Sequence, residues 1–192
     1  PEKESNFIID ISLEKGEKKV SQKIEIPILS IEEKNTVPKI YLEVNDEITK
    51  EDYVNASFII KEKDETGNWI ETLVDSNIKI KGRGNSTWGF DKKPYKIKFS
   101  ERTSLFGEPK AKTWTLIANF RDHVLMRNYA AFYLGRSLDG LEHTTCAYFV
   151  DVYLNGEYQG NYLLCEQTEV DKNRLNINAD VDDTGFLIEM DQ

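Results

Sequence analysis

At 192 residues, with 39% apolar and 11% aromatic side chains, the chain is long enough for one good-sized core, or for one domain with a small appendage. A formal charge of −9 and an isoelectric point near 4.9 exclude a duplex nucleic-acid binder, which would be basic over a whole face. Mean hydropathy is −0.55, no apolar run approaches the length of a membrane-spanning helix, and the opening "PEKESNFIID" has neither region of a signal peptide.

Residues 1–75 are acidic, eighteen acids against ten bases, and strand-like. "FIIDISL", "KIEIPIL", "PKIYLEV", "ASFIIKEK" and "NWIETLV" read as five short strands, with a turn at "TGN". Thr49 to Tyr53 could add one helical turn capped by Thr49. Strands in succession without helices predict a β-rich segment, a sheet layer or small sandwich, up to residue 75.

Charge then reverses. From Lys79 to Lys98 there are seven basic residues and one acid, Asp91, in a chain that is otherwise strongly negative. Two alternating runs flank this island: Ile78 and Ile80 oppose Lys79 and Lys81, while Tyr95, Ile97 and Phe99 oppose Lys96 and Lys98. If the two strands pair, one face is apolar and the other carries four lysines. Between them "GRGNSTWGFD" is too long for a plain hairpin turn. Gly82 and Gly84 free the backbone to approach a ligand; Arg83, Ser86 and Thr87 can donate to phosphate oxygens. By spacing alone the loop reads as a structured connection, and it is not a Walker A loop, because no Gly-Lys-Ser/Thr follows and a strand comes next. The lysine strands on either side favour an anion site; solvated lysines are the plainer reading for Lys92 and Lys93.

"KTWTLIANF" reads as a strand, and "DHVLMRNYAAFYLGRSLDG" as the one convincing helix, capped by Asp122, with Leu125, Tyr129 and Phe132 in a stripe and Gly140 at its end. "YFVDVYLNGEYQGNYLLCE" is a hairpin with Asn155-Gly156 as its turn. Counting back from that turn sets Cys146 opposite Cys165, a spacing that a disulfide accepts; two buried thiols are the alternative. The two cysteines form no metal-ligand pattern. Asp180, Asp182, Thr184, Gly185 and Asp191 loosely follow a calcium loop, but a solvated turn explains them better. His123 and His143 have no partner motif and read as structural. The chain stops at Gln192 without a turn or helix and reads as cut short.

Three segments in order, "IKGRGNSTW…KKPYKIKF", "WTLIANFRDHVLMRNYAAFYLGR" and "VDVYLNGEYQGNYLLCEQTEVDKNRLNI", resemble the CotH family of spore-coat and surface proteins over residues 76–192. The resemblance implies an atypical protein kinase with a reduced kinase-like fold, transferring phosphate from ATP with Mg²⁺ to serines of coat proteins. It implies a nucleotide site made from the loop Gly82, Arg83, Gly84, Asn85, Ser86 and Thr87, with Lys96 pairing the phosphates. Arg127, beside Asn128 in an "L-x-R-N" match, would support that charge, and Glu166 would orient a basic partner or the nucleotide. Glu189 and Asp191 match a later "L-x-E-x-D" pattern. The family's metal-holding aspartates lie in a "P-W-D-x-D"-like motif that this sequence lacks, since Trp69, Trp88 and Trp114 are followed by Ile, Gly and Thr. No catalytic or metal residue is therefore assigned, and the 192 residues alone are not expected to complete phosphoryl transfer.

The expected fold is α+β: mainly antiparallel strands with one long helix, protein-kinase N-lobe-like over 76–192, preceded by the β-rich segment 1–75. The expected function is ATP-dependent serine phosphorylation of an unspecified protein by the parent protein, outside the cell, at its surface or in a spore coat. The rival is a non-catalytic surface module for adhesion or carbohydrate contact. A nucleotide is the expected partner, with neither nucleic acid nor a membrane span.

Overall fold

The computed structural model describes residues 5–15, 18–28, 36–138, 141 and 143–177, with side chains from residue 36 onward. The suggested calcium loop, Gly140, Glu189 and Asp191 lie outside the described residues. The chain divides into two compact units, 1–36 with 65–67, and 37–64 with 68–192. In the first, β1 (Ser5–Lys15) and β2 (Lys18–Ile28) form an antiparallel pair in register from Ser5↔Ile28 to Lys15↔Lys18.

The second unit is a closed barrel of seven strands: β3 (Lys39–Val44), β4 (Val54–Lys63), β5 (Trp69–Gly82), β6 (Tyr95–Thr103), β7 (Ala111–Ile117), β8 (Ala147–Leu154) and β9 (Glu157–Glu166). Their order around the wall is β3-β4-β5-β6-β7-β9-β8, and a parallel β3–β8 pairing closes it. This overturns the expected α+β, kinase-N-lobe-like arrangement with a long helix. The cause lies in β3 and β4, strands of the acidic segment, which complete the wall instead of forming a separate layer. β5 runs unbroken through residues 75 and 76.

Alternation builds the core. Ile40, Leu42, Phe58, Ile78, Ile80, Ile97, Trp114 and Leu116 point inward and are fully buried, each by the period of two that the strand imposes. Burying such a side chain contributes about 1.5–3 kcal/mol relative to exposure. At the closure Asn155 acts for a strand it does not belong to: its Oδ1 accepts from the Val44 amide at 2.8 Å, and its Nδ2 donates to the Val44 carbonyl at 3.0 Å.

The helix α1 spans only Arg127–Arg136, ten residues on the outside of the wall, where Tyr129 packs on Phe149 of β8 with ring centroids 5.0 Å apart. Leu125, at φ 57°, breaks the helical run before it. Asp122 caps the preceding turn, accepting from the Arg127 amide at 2.8 Å and the Val124 amide at 3.3 Å. Residues 50–52 form bends rather than a helical turn, and the Thr49 carbonyl accepts from the Gly82 amide at 2.7 Å.

The hairpin turn forms at Asn155-Gly156, both with positive φ, as expected. The cysteine register does not follow. Leu154 faces Glu157 and Tyr153 faces Tyr158, but Val152 faces Gly160, so Gln159 is an extra residue and a bulge. Gly160, at φ 100°, supplies the conformation the bulge needs. Beyond it Cys165 faces Ala147, and both cysteines are free and buried.

Candidate functional site

The lysine ladder stands as the alternation requires. Lys79 faces Lys98 and Lys81 faces Lys96, on the outer side of a wall whose inner side carries Ile78, Ile80, Ile97 and Phe99. The Lys81–Lys96 row continues through Thr115 to Cys165 and Ala147, since residues directly opposite share a face. Tyr53 lies under the ladder, with the Lys81 and Lys98 amines 5.1 and 5.9 Å from its ring centre. Burial lowers the Lys96 pKa; Glu169 opposes that shift, and the charges of Lys81, Arg83 and Lys98 add to it.

The glycine loop is shaped by its tryptophan. A Cβ on Gly82 would stand 2.5 Å from the Trp88 ring, so glycine is what lets the indole lie on the strand end. Lys93 holds that indole, donating to the Trp88 carbonyl at 2.8 Å with its amine 5.4 Å from the ring centre. Gly84 takes φ 82°, and residues Ser86–Gly89 make a single 3₁₀ turn. Arg83 is tied back by its amide to the Pro94 carbonyl at 3.2 Å.

Beside this loop is a cavity of about 290 Å³. Arg83 and Thr87 enter it from the loop, Ile117 and Ala118 from the end of β7, and Asn119, Phe120, Arg121, Asp122, Arg127 and Asn128 from the approach to α1. Phe90, Lys92 and Pro94 complete the lining. Phe90 stacks on Phe120 at 5.4 Å, and the Arg121 guanidinium lies 4.7 Å from the centre of Phe90. Asn128 is oriented by donating to Asn119 Oδ1 at 2.7 Å. Four cations therefore share a concave site with one carboxylate, next to a small aromatic surface. Burial lowers the pKa of Arg83, and Arg83 in turn opposes the rise that burial gives Cys165, which is pushed up to about 12.

Of the residues singled out by sequence, Arg83, Thr87 and Arg127 meet in this cavity. Gly82 and Gly84 shape the loop, while Asn85 and Ser86 are exposed and outside the lining. Lys96 is not in the lining; it belongs to the ladder, linked to the cavity through the charge of Arg83. Glu166 lies elsewhere, buried 3.6 Å from Arg174 and accepting from the Cys146 amide at 3.3 Å. Lys92 is no solvated lysine: it donates to the Asn161 carbonyl, and its amine sits 4.4 Å from the Tyr162 ring centre. Lys92, Arg121 and the Phe90–Phe120 pair escaped sequence reasoning because they meet only through tertiary contact.

An ATP-like polyphosphate fits this cation set. Mg²⁺ does not find its ligands in the lining, where the one carboxylate, Asp122, is engaged by the Val124 and Arg127 amides and lies 3.7 Å from Arg127 Nε. No helix among the described residues is long and apolar enough to cross a membrane. No curated protein matches the chain. The family model described as CotH kinase protein matches residues 80–192, more than half of the chain, and takes in the cavity and most of the ladder; the chain belongs to the CotH family.

Proposed function

We propose that the barrel binds a nucleoside triphosphate by its phosphates and serves ATP-dependent phosphorylation of protein serines, outside the cell, at a surface or in a spore coat. One observation carries the reading: the glycine loop and the start of α1, far apart in sequence, bring Arg83, Thr87, Arg127 and Asn128 into one cavity with Lys92 and Arg121. Arginine forks and a lysine point charge suit phosphate oxygens, and the Phe90–Phe120 pair offers an apolar surface for a base. Lys96 and the ladder extend the positive field beside it. The chemistry of transfer requires metal-held phosphates, and the described lining offers cations suited to phosphate but not the metal carboxylates.

Calorimetry with Mg-ATP tests this. Each charge-assisted bond contributes about 1.5–3 kcal/mol, against several kcal/mol of lost motion, which gives roughly millimolar affinity. Arg83→Ala and Arg127→Ala should each weaken binding about tenfold, a loss of ~1.4 kcal/mol. The same affinity for both variants and the parent chain would end the proposal. In a radiolabel assay the 192 residues alone should transfer nothing.

A second reading has its own observation. Tyr41, Tyr153 and Tyr158 form an outer aromatic row, with ring centres 4.8 and 5.2 Å apart and Tyr158 57% exposed, a surface of the kind sugars stack on. Glycan binding lost in Tyr158→Ala, with no response to ATP, would favour the surface module.

A further inference from the structure

A second cavity, of about 270 Å³, contains Glu108, His143 and Glu166 in its lining, and none of its residues lines the cationic cavity. Behind it is the buried thiol of Cys146. One ligand atom each from Glu108, Cys146 and Glu166 lies within 4.8 Å of the others. His143 Nε2 is buried and has no hydrogen-bond partner among the described residues. A buried imidazole nitrogen without a partner is costly and calls for an explanation. Here it lines the same cavity as two carboxylates that converge with a thiol.

We propose that Glu108, Cys146 and Glu166 form a binding site for a divalent transition metal of the zinc class, with His143, which lines the same cavity but stands outside that 4.8 Å group, turning in as the fourth ligand. The donor set is mixed, one sulfur, one nitrogen and two oxygens. That combination suits Zn²⁺ and its Co²⁺ substitute and disfavours Mg²⁺ and Ca²⁺, which prefer oxygen alone. Binding exchanges the thiol proton for the metal: the Cys146 S–H bond breaks, a sulfur–metal bond forms, and the proton leaves to solvent.

The surroundings hold these side chains as outer partners hold metal ligands. Tyr148 donates to Glu108 Oε1 at 2.6 Å, and Arg136 Nη1 donates to the same oxygen at 2.9 Å. Arg174 stands 3.6 Å from Glu166 Oε1, and the Cys146 amide donates to Oε2. The two arginines offset the two carboxylates before metal arrives. A carboxylate oxygen has two lone pairs: Glu108 Oε1 has both taken, whereas Glu108 Oε2, reached by Arg136 Nη2 at 3.5 Å, and the Glu166 oxygens keep acceptor capacity for a metal. With the thiolate added, a divalent ion leaves the cluster only one charge from neutral.

This inference does not depend on the nucleotide reading, and its test does not use ATP. The full chain, with thiols reduced, is dialysed against Zn²⁺ for metal analysis and titrated with Co²⁺ for spectroscopy. The expected result is one metal per chain, with tetrahedral Co²⁺ bands and a near-ultraviolet sulfur-to-cobalt charge-transfer band. Cys165→Ser should keep that band and Cys146→Ser should lose it; His143→Ala should weaken Zn²⁺ binding at least about tenfold, and Tyr148→Phe by a similar factor through Glu108. Absence of the charge-transfer band in the parent chain overturns the proposal, as does a band that survives in Cys146→Ser. Unchanged affinity in His143→Ala overturns the fourth ligand. If Cys146→Ser does not fold, the Cys165→Ser spectrum decides: a retained band supports the site and a lost band refutes it.

Discussion

Lys81 stands directly opposite Lys96 across the β5–β6 pair, like charge against like, with Lys79 and Lys98 repeating the arrangement two residues along. Opposed like charges destabilise a sheet, by about 0.2–1 kcal/mol per pair. Lys96→Gln should therefore raise stability by a few tenths of a kcal/mol while weakening the response to anions. The Lys96 pKa is lowered in the fold from the ordinary value of 10.5. The penalty is then complete below the folded pKa and disappears as pH rises to the unfolded one. Urea unfolding at neutral pH and near pH 10 checks this: the advantage of the variant should shrink at the higher pH. Added sulfate should raise Tm less for Lys96→Gln than for the parent chain.

The glycine loop makes a sharper prediction. Gly82→Ala drives a methyl into the Trp88 ring and should cost about 1–3 kcal/mol. Gly84→Ala clashes with the Thr87 hydroxyl alone, its other neighbours lying at ordinary contact distance; that hydroxyl can rotate away, so the cost comes from φ 82° and should be about 1 kcal/mol. Adding Trp88→Ala to Gly82→Ala should cost less than the sum of the two single changes, because the clash is already gone. Denaturant midpoints of the four variants measure each term, and strict additivity would show that the ring does not lie on Gly82.

Arg174 pins the segment after β9. Its side chain is fully buried, donating to the carbonyls of Thr113 and Gln167 at 2.6 Å each and to Glu169 at 2.7 Å, beside Glu166. Arg174→Ala strands a buried carboxylate and should lower stability by about 3–5 kcal/mol. Arg174→Ala with Glu166→Gln should recover part of that loss. Chemical denaturation of the single and double variants gives the comparison.

The bulge at Gln159 predicts thiol chemistry. With Cys165 opposite Ala147 and both thiols buried, oxidants should form no Cys146–Cys165 bridge in the native protein. Mass analysis after oxidation should find two free thiols. Their reaction with a thiol reagent at pH 8 should be slow until denaturant is added, because burial keeps Cys165 protonated, at about 12.

The ladder was legible in the sequence because alternation is a local rule: once β5 and β6 pair, Lys79, Lys81, Lys96 and Lys98 have one face available. The turn at Asn155-Gly156 was legible for the same reason, since its backbone demands those residues. What followed from counting alone failed at Gln159, where one unpaired residue shifts every later pair by one. The barrel was hidden because nothing in "PKIYLEV" states that its partner is "DVYL", more than a hundred residues away and parallel. Arg83, Thr87 and Arg127, which line one cavity, were singled out through their motifs. Lys92, Arg121 and the two phenylalanines were not, because the cavity is made where β7 and the glycine loop end side by side. His143 read as structural for want of a partner motif in sequence; in the fold it lines one cavity with Glu108 and Glu166.

The grip of Asn155 on Val44 spans 111 residues, and it sets a schedule for synthesis. At ribosomal speed about 10 s separates the emergence of those two positions. Throughout that interval β3 offers a row of unpaired amides and carbonyls on one flank to any passing strand. Closure by a partner so distant is slow in itself, because the loop must be fixed before the contact rewards it. A nascent chain arrested before β8 should therefore associate with its own kind or recruit a chaperone, and release of the stalled chain through residue 166 should end that association.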